Sequence, residues 1–425
     1  MNQNPFHIDC LYDVGDYFRL KGDFKQANSL LEQILFLYEE SFGYEFGRLL
    51  SNEAKNIVLS WDHNKFSKAL FLTLVKFIDI LGKKACYKAA LEYNKFLVKL
   101  NPLMDPVGGL LILDYNSISA RNYDFLLNFV ERFCFEVYGT DKFSILFMPN
   151  FLYSCALAKF SKTEQELEKS KSNINIYQIT PEDFMKAIAL GPEYIKENHN
   201  VLLILATLIY PEIIVKIINE NEIHKQNLTH SSFKGWQIKN YKEILAHPFF
   251  QEKNQPFYSF LQLQNEDDVE GLNKLIEIYI ERSKIIWKGN HINIWIKGTL
   301  GYILNEIDEK NLNYSELFEK LCSQACCKNI PFELRRYKQL TKHSLIEQMQ
   351  RLDLNNIPDV QGQGGPPPNY NPLNMQQGFL SLLVNSLLPW NHLPPQNNNQ
   401  GAGAGDPDLG EFEDFDGDDE YFEEG

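Results

Sequence analysis

Cys322, Cys326 and Cys327 form the densest group of soft metal ligands in the chain. Three thiolates could hold one zinc ion if a His or another Cys completed the tetrahedron. No His lies at the usual spacing. Cys322 and Cys326 stand four residues apart on an apolar helical pattern, which suits core packing better. The stretch DFDGDDE (414–420) offers calcium-type oxygen ligands but lacks the EF-hand loop with its terminal Glu, so it reads as a solvated acidic segment. His247-Pro248 in HPFF reads as a loop-to-core anchor, and the remaining histidines are dispersed. In GQGGPPP (362–368) prolines follow the glycines where a phosphate cradle needs a helix start. The sequence contains no GxxxxGK[ST], HExxH or CxxC motif, and no nucleophile-and-base set is legible. The expectation is a protein that is not an enzyme and that needs no metal or other cofactor.

Residues suited to holding a partner are easier to find. YIERSKIIWKGNHINIWI (279–296) places Arg282, Ser283, Trp287 and Lys288 on about two helical turns, with Trp295 following. Arg and Trp are enriched in interface hot spots, so one reading is a partner-facing patch. The other is a core helix with Trp287 buried and Arg282 paired locally. LNMQQGFLSLLVNSLLPW (373–390) forms a short amphipathic pattern through Phe379, Leu383 and Leu387, closed by Trp390. It can dock in a partner groove or pack back on its own chain. Phe412 and Phe415 interleave with acids near the C-terminus, as in acidic binding tails.

The elements that must position these residues read as paired helices. In residues 11–42, Leu11, Val14, Gly15 and Phe18 share one helix face. Gly22 makes a turn, and Phe24, Ala27, Leu31 and Ile34 face back. A second unit uses Leu74, Phe77 and Leu81, then Ala90, Leu97 and Leu100, and stops at Asn101-Pro102. Asp105-Pro106 is expected to cap and start the next helix. A third unit uses Leu110, Leu113, Tyr123, Leu126 and Val130. The equivalent positions Ala27, Ala90 and Leu126 are spaced by 63 and then 36 residues, so an insertion near 41–65 interrupts the array. TPEDFMKAIALGPEY (180–194) predicts a further capped helix. Residues 161–176 are polar and predict an exposed loop or frayed helix. No strand pattern of useful length appears. The fold expectation is all-α: an irregular tetratricopeptide-like helical solenoid with a disordered Pro/Gly-rich and acidic C-terminal tail. Its parts are repeats over 1–160, a continued helical domain over 161–355, and a linker, short helix and acidic tail over 356–425. The concave face of the repeats is a further expected contact surface.

Charge and apolar content bound the partners. The net charge is −15, but no Lys or Arg follows Asn355, and the excess of acid sits in that final segment. A nearly balanced body argues against broad phosphate-driven binding, and no DNA-reading motif appears. The apolar stretch 201–218 contains Pro211, Glu212 and Lys216, so it predicts a buried helix pair and not a membrane span. The odd, scattered set of seven cysteines fits a reducing compartment.

Several stretches, in order, resemble one known family. They are NPFHIDCL (4–11), KKACYKAALEYNKFLVKLNPLMDPVGGLLILDY (83–115), ARNYDFL (120–126), MPNFLYSCALAKF (148–160), YIERSKIIWK (279–288) and SLLPW with the acidic end. They are similar to the transcription factor 25 family, also called nuclear localised protein 1, whose fungal members are subunit 1 of the ribosome quality control complex. That family carries a long extension ahead of its Asn-Pro-(Tyr/Phe)-His motif, whereas here Met1 sits almost on it. The resemblance implies a non-catalytic scaffold on 60S ribosomal subunits. Its implied partners are a listerin-type ubiquitin ligase, ubiquitin and the AAA segregase valosin-containing protein. It implies a cytoplasmic location, with a nuclear one also expected. The alternative it carries is a nuclear transcriptional repressor acting through protein–protein contacts.

Overall fold

The first helix, α1 (Ile8–Leu20), ends where Gly22 adopts φ +79°. The Asp23 amide then donates back to Phe18 O at 2.9 Å and the Gly22 amide to Arg19 O at 3.1 Å. This left-handed stop satisfies carbonyls that a helix end leaves open. Asp23 next caps α2 (Phe24–Ser41), accepting from the Gln26 amide. The same turn recurs at Ala85 (φ 57°), between α3 (Lys65–Lys83) and α4 (Tyr87–Leu100). It recurs again at Arg121 (φ 55°), between α5 (Leu110–Ser119) and α6 (Tyr123–Arg132). Each left-handed residue lies five positions before Ala27, Ala90 or Leu126, all of which have no exposed surface. The repeat register read from sequence is therefore the one the backbone adopts.

The computed structural model describes residues 7–42, 58–61, 65–102, 104–137, 141–171, 175–189, 194–223, 241–251, 266–310, 312–313, 316–317 and 321. All belong to one unit, Met1–Leu387; the second unit, Leu388–Gly425, lies outside the described residues. The all-α reading holds. Among the described residues the exception is an antiparallel ribbon, β1 (Cys134–Val137) against β2 (Asp141–Ser144). Strands of four residues are too short for an alternating pattern to stand out.

Helix α1 packs on α2, α2 on α3, α3 on α4 and α4 on α5. Beyond this series the packing centres on α7 (Pro149–Ser170), which touches α5, α6, α9 (His199–Ile209) and α13 (Glu266–Ser283). Residues Pro149 to Ala158 are buried without a break because neighbours lie on every side of that helix. Its last turns run through 161–170 to Lys171 at φ 50°, so the polar stretch continues an ordered helix and is not a loop. Helix α8 (Pro181–Ala189) starts with a reciprocal cap. Thr180 Oγ1 accepts from the Asp183 amide, and Asp183 Oδ2 accepts from the Thr180 amide.

Two other expectations are refined. Asp105 does cap a helix, but from farther away. Its carboxylate accepts from the Gly109 amide at 2.6 Å and the Leu110 amide at 3.1 Å, so α5 starts at Leu110 and not at Pro106. The apolar stretch near 200 forms α9 and α10 (Pro211–Glu220), bent by 99°, with α9 buried throughout. Among the described residues no single helix is long and apolar enough to cross a membrane. The remaining described helices are α11 (Tyr241–Ala246), α12 (Pro248–Gln251) and α14 (Asn290–Glu309).

A non-glycine residue in the left-handed region loses roughly 1 kcal/mol to Cβ contacts. Ala85→Gly is therefore expected to raise the unfolding free energy by about 0.5–1 kcal/mol. The check is a urea titration read by circular dichroism, with the slope unchanged and the midpoint higher.

Candidate functional site

Two facing layers of side chains join the repeat helices to the helices that follow. The inner layer is a buried polar chain. Asp114, on α5, is 1% exposed and accepts from Ser154 Oγ at 2.7 Å and Asn150 Nδ2 at 3.3 Å. Tyr279 OH lies 3.4 Å from Ser154 Oγ and accepts from Trp287 Nε1 at 3.0 Å. With the Ser154 proton committed to Asp114, Tyr279 donates to Ser154. Every proton then points along one chain, from Trp287 through Tyr279 and Ser154 to the carboxylate. Burial pushes the Asp114 carboxyl up to about 6, against the pull of its donors. The same burial raises the neighbouring Cys155 thiol well above its ordinary value, so that cysteine is inert.

The outer layer is a groove of about 370 Å³. Helix α3 contributes Val75, Ile78, Asp79, Gly82 and Lys83, a stripe at helical spacing. Helix α5 contributes Ile112, Tyr115 and Asn116, α4 contributes Tyr87, and α13 contributes Arg282. Tyr87 and Tyr115 meet edge to face at 6.4 Å. Asn116 is held by Asn94, whose own amide donates to Gly109 O at 3.0 Å. Asp79 accepts from Lys83 at 2.8 Å and has Arg19 at 3.7 Å. Arg19 and Lys76 share Asp16 deeper in, where burial pushes Lys76 down to about 8 and Lys76 Nζ sits 3.8 Å over the Tyr12 ring.

The Arg282 guanidinium is part-buried and forms no ion pair or hydrogen bond among the described residues. Burial pulls its pKa below the ordinary value, while Asp79, Asp114 and Tyr115 pull the other way. A guanidinium remains charged under these conditions.

The structure separates the residues that the sequence placed in one patch. Trp287 and Trp295 have no exposed surface. Trp295 stacks on Phe160 at 4.3 Å and donates to Asn200 Oδ1 at 2.9 Å, and Trp287 packs on Tyr153 and Trp295. Their faces are already covered by this chain, so neither can be a surface contact here. Ser283 is buried as well. Only Lys288 is exposed, and Arg282 faces the groove. The expected local pairing of Arg282 is also absent among the described residues. Helix α13 lies against α5 and α7, so part of the repeat surface proposed for partners is occupied by the chain itself. Phe379, Leu383, Leu387, Trp390, Phe412 and Phe415 lie outside the described residues, as do Cys322, Cys326 and Cys327. Sequence reasoning missed Asp114, Asn150, Ser154 and the tyrosines. A lone Asp inside LLILDY was the available signal, since an acid at an apolar helix face needs partners. Among the described residues no group of His, Cys, Asp and Glu could hold a metal ion.

The ordered motifs find their counterpart in comparison with known proteins. A family model described as the transcriptional repressor TCF25 matches residues 1–373. The chain belongs to the Tcf25 family. A relative from Dictyostelium discoideum, named ribosome quality control complex subunit TCF25, is 25% identical over 318 residues, covering 75% of this chain and 38% of that protein. The Homo sapiens protein of the same name is 22% identical over 315 residues, covering 72% of this chain and 37% of its own length. Ribosome quality control complex subunit 1 of Saccharomyces cerevisiae is 25% identical over 151 residues, or 35% of this chain and 20% of that protein. The chain therefore spans less than two fifths of the curated TCF25 relatives it matches. No solved structure matches it. Both layers lie inside the region that the Tcf25 family model covers.

Two outcomes follow from the buried layer. A carboxyl whose folded pKa is raised favours the folded state below its unfolded value near 3.8, and that contribution is lost as pH rises through about 6. Asp114→Asn removes this titration. Its stability relative to the parent should rise between pH 4 and pH 7 by roughly 2–3 kcal/mol, measured by urea unfolding at each pH. Trp287→Phe should cost about 1–2 kcal/mol by deleting the donor to Tyr279, whereas Lys288→Ala should stay within about 0.5 kcal/mol of the parent. Thermal unfolding of the two variants separates core from surface.

Proposed function

We propose that this chain is a non-catalytic scaffold of ribosome quality control acting on 60S subunits. In this reading it assists ubiquitylation of stalled nascent chains by a listerin-type ligase and their extraction by an AAA segregase. The observation that carries it is the Tcf25 family match over residues 1–373, together with relatives whose names place them in the ribosome quality control complex. An all-α body suits such a role, because many helix faces can hold several partners at once and linked weak contacts act through effective concentration. The residues assigned to contacts are the exposed Lys288 and groove-facing Arg282, with Phe379, Leu383, Leu387, Trp390, Phe412 and Phe415 toward the C-terminus. The location that goes with this role is cytoplasmic.

A second reading is a nuclear transcriptional repressor working through protein contacts. The family description and the acidic, aromatic C-terminal segment favour it.

The test is sucrose-gradient sedimentation of the tagged chain from cells with stalled translation, probed for ubiquitin. Co-migration with ubiquitylated 60S material is the expected result. Migration only at the top of the gradient, with tagged protein confined to nuclei, would overturn the scaffold reading in favour of the repressor.

A further inference from the structure

The groove between α3 and α5 is lined by Asp79, Lys83 and Arg282 and backed by further charges of both signs. Asp13 lies near Lys76 and Asp114 near Arg282, while Arg19, Lys76, Lys83 and Arg282 also face Asp16 and Asp79. Asp16 and Asp79 are already engaged by the first three cations. Among the described residues Arg282 has no ion pair or hydrogen bond, and it lies part-buried at the wall of a cavity with an apolar and aromatic lining. Asp79 and Asp114 offset only part of that burial at longer range, and the guanidinium fork still has no hydrogen-bond acceptor among the described residues, which leaves a cost. A ligand that brought one negative charge would offset it.

From this arrangement we infer that the groove binds an acidic side chain of a partner peptide, its carboxylate on Arg282 and its flanking apolar residue between Tyr87, Tyr115 and Ile78. A carboxylate matches the planar guanidinium fork through two parallel hydrogen bonds. A phosphate dianion is disfavoured, because Asp79 lines the groove and Asp114 stands behind it. RNA is disfavoured on the same ground, since backbone binding needs several free cations on an open surface. The cavity of about 370 Å³ accommodates a side chain with its immediate neighbour rather than a folded element. The proposal does not rest on the ribosome quality control reading; it concerns the purified chain and a peptide.

The experiment is fluorescence anisotropy of the full chain with labelled, amidated pentapeptides. One pool has a central Glu flanked by apolar residues, and a second has Gln in its place. A third probe carries only a free terminal carboxylate, and a fourth is a ten-nucleotide RNA. The Glu pool should bind at least about tenfold more tightly than the Gln pool, and Arg282→Gln should abolish that difference. Arg282→Lys should recover only part of it, because the bidentate fork is lost. Lys186→Ala, on α8 and outside the groove lining, should leave binding unchanged.

A second variant covers the case in which Arg282→Gln fails to fold. A Cβ added at Gly82 meets no atom within 4 Å, so Gly82→Leu fits the backbone and fills the groove instead of disturbing the core. It should melt no lower than the parent and lose the Glu pool by a similar factor. Equal binding of the Glu and Gln pools overturns the proposal, as does unaltered binding by Gly82→Leu. No anisotropy change up to about 1 mM peptide also overturns it. Preferred binding of the free-terminus probe moves the assignment to a chain end, and binding of RNA alone replaces it with nucleic acid.

Discussion

A buried carboxylate without water must find its donors within the protein, and Asp114 finds them in segments far along the chain. Asn150 and Ser154 lie 36 and 40 residues away, and Tyr279 is 125 residues from Ser154. Breaking such a set leaves an uncompensated charge in the core, which costs more than any single contact gains. The requirement therefore fixes the relative register of α5, α7 and α13. Apolar packing alone would tolerate small slips among these helices, whereas hydrogen bonds of 2.7–3.4 Å would not.

The groove inherits its geometry from this anchor. Tyr115 follows Asp114 directly on α5, and Arg282 follows Tyr279 by three residues on α13. Holding Asp114 and Tyr279 inside sets where their neighbours emerge. Trp287 extends the polar chain into the aromatic cluster of Phe160, His199 and Trp295, which ties α14 and α9 to the same centre. The two tryptophans are core residues of this centre. A residue type enriched in interfaces is equally at home in a core, and its burial decides between the two.

The chain is a member of the Tcf25 family with an all-α architecture. The family match covers most of the chain, while the chain covers a minor part of its curated relatives. The described helical body lies within the segment that the family model matches. Its surface offers a groove walled by Arg282, while its core holds an acid that burial pushes up to about 6.

Local chemistry was enough to read the repeat register. Close helix packing needs small or apolar residues at Ala27, Ala90 and Leu126, and the Thr180–Asp183 cap needs those side chains at that spacing. The buried pair near residue 200 was equally legible, because Pro211 and a run of aliphatic residues leave few other solutions. Residues 161–170 left loop and frayed helix open because polarity marks exposure, and an exposed helix turn and a loop are alike in that respect; the structure makes them helix. The left-handed turns at Ala85 and Arg121 carried no glycine to announce them. Burial of Trp287 and Trp295, the donors of Asp114 and the surroundings of Arg282 all depend on segments far along the chain. Periodicity reports which face of a helix is apolar, whereas only the assembled helices decide what that face meets.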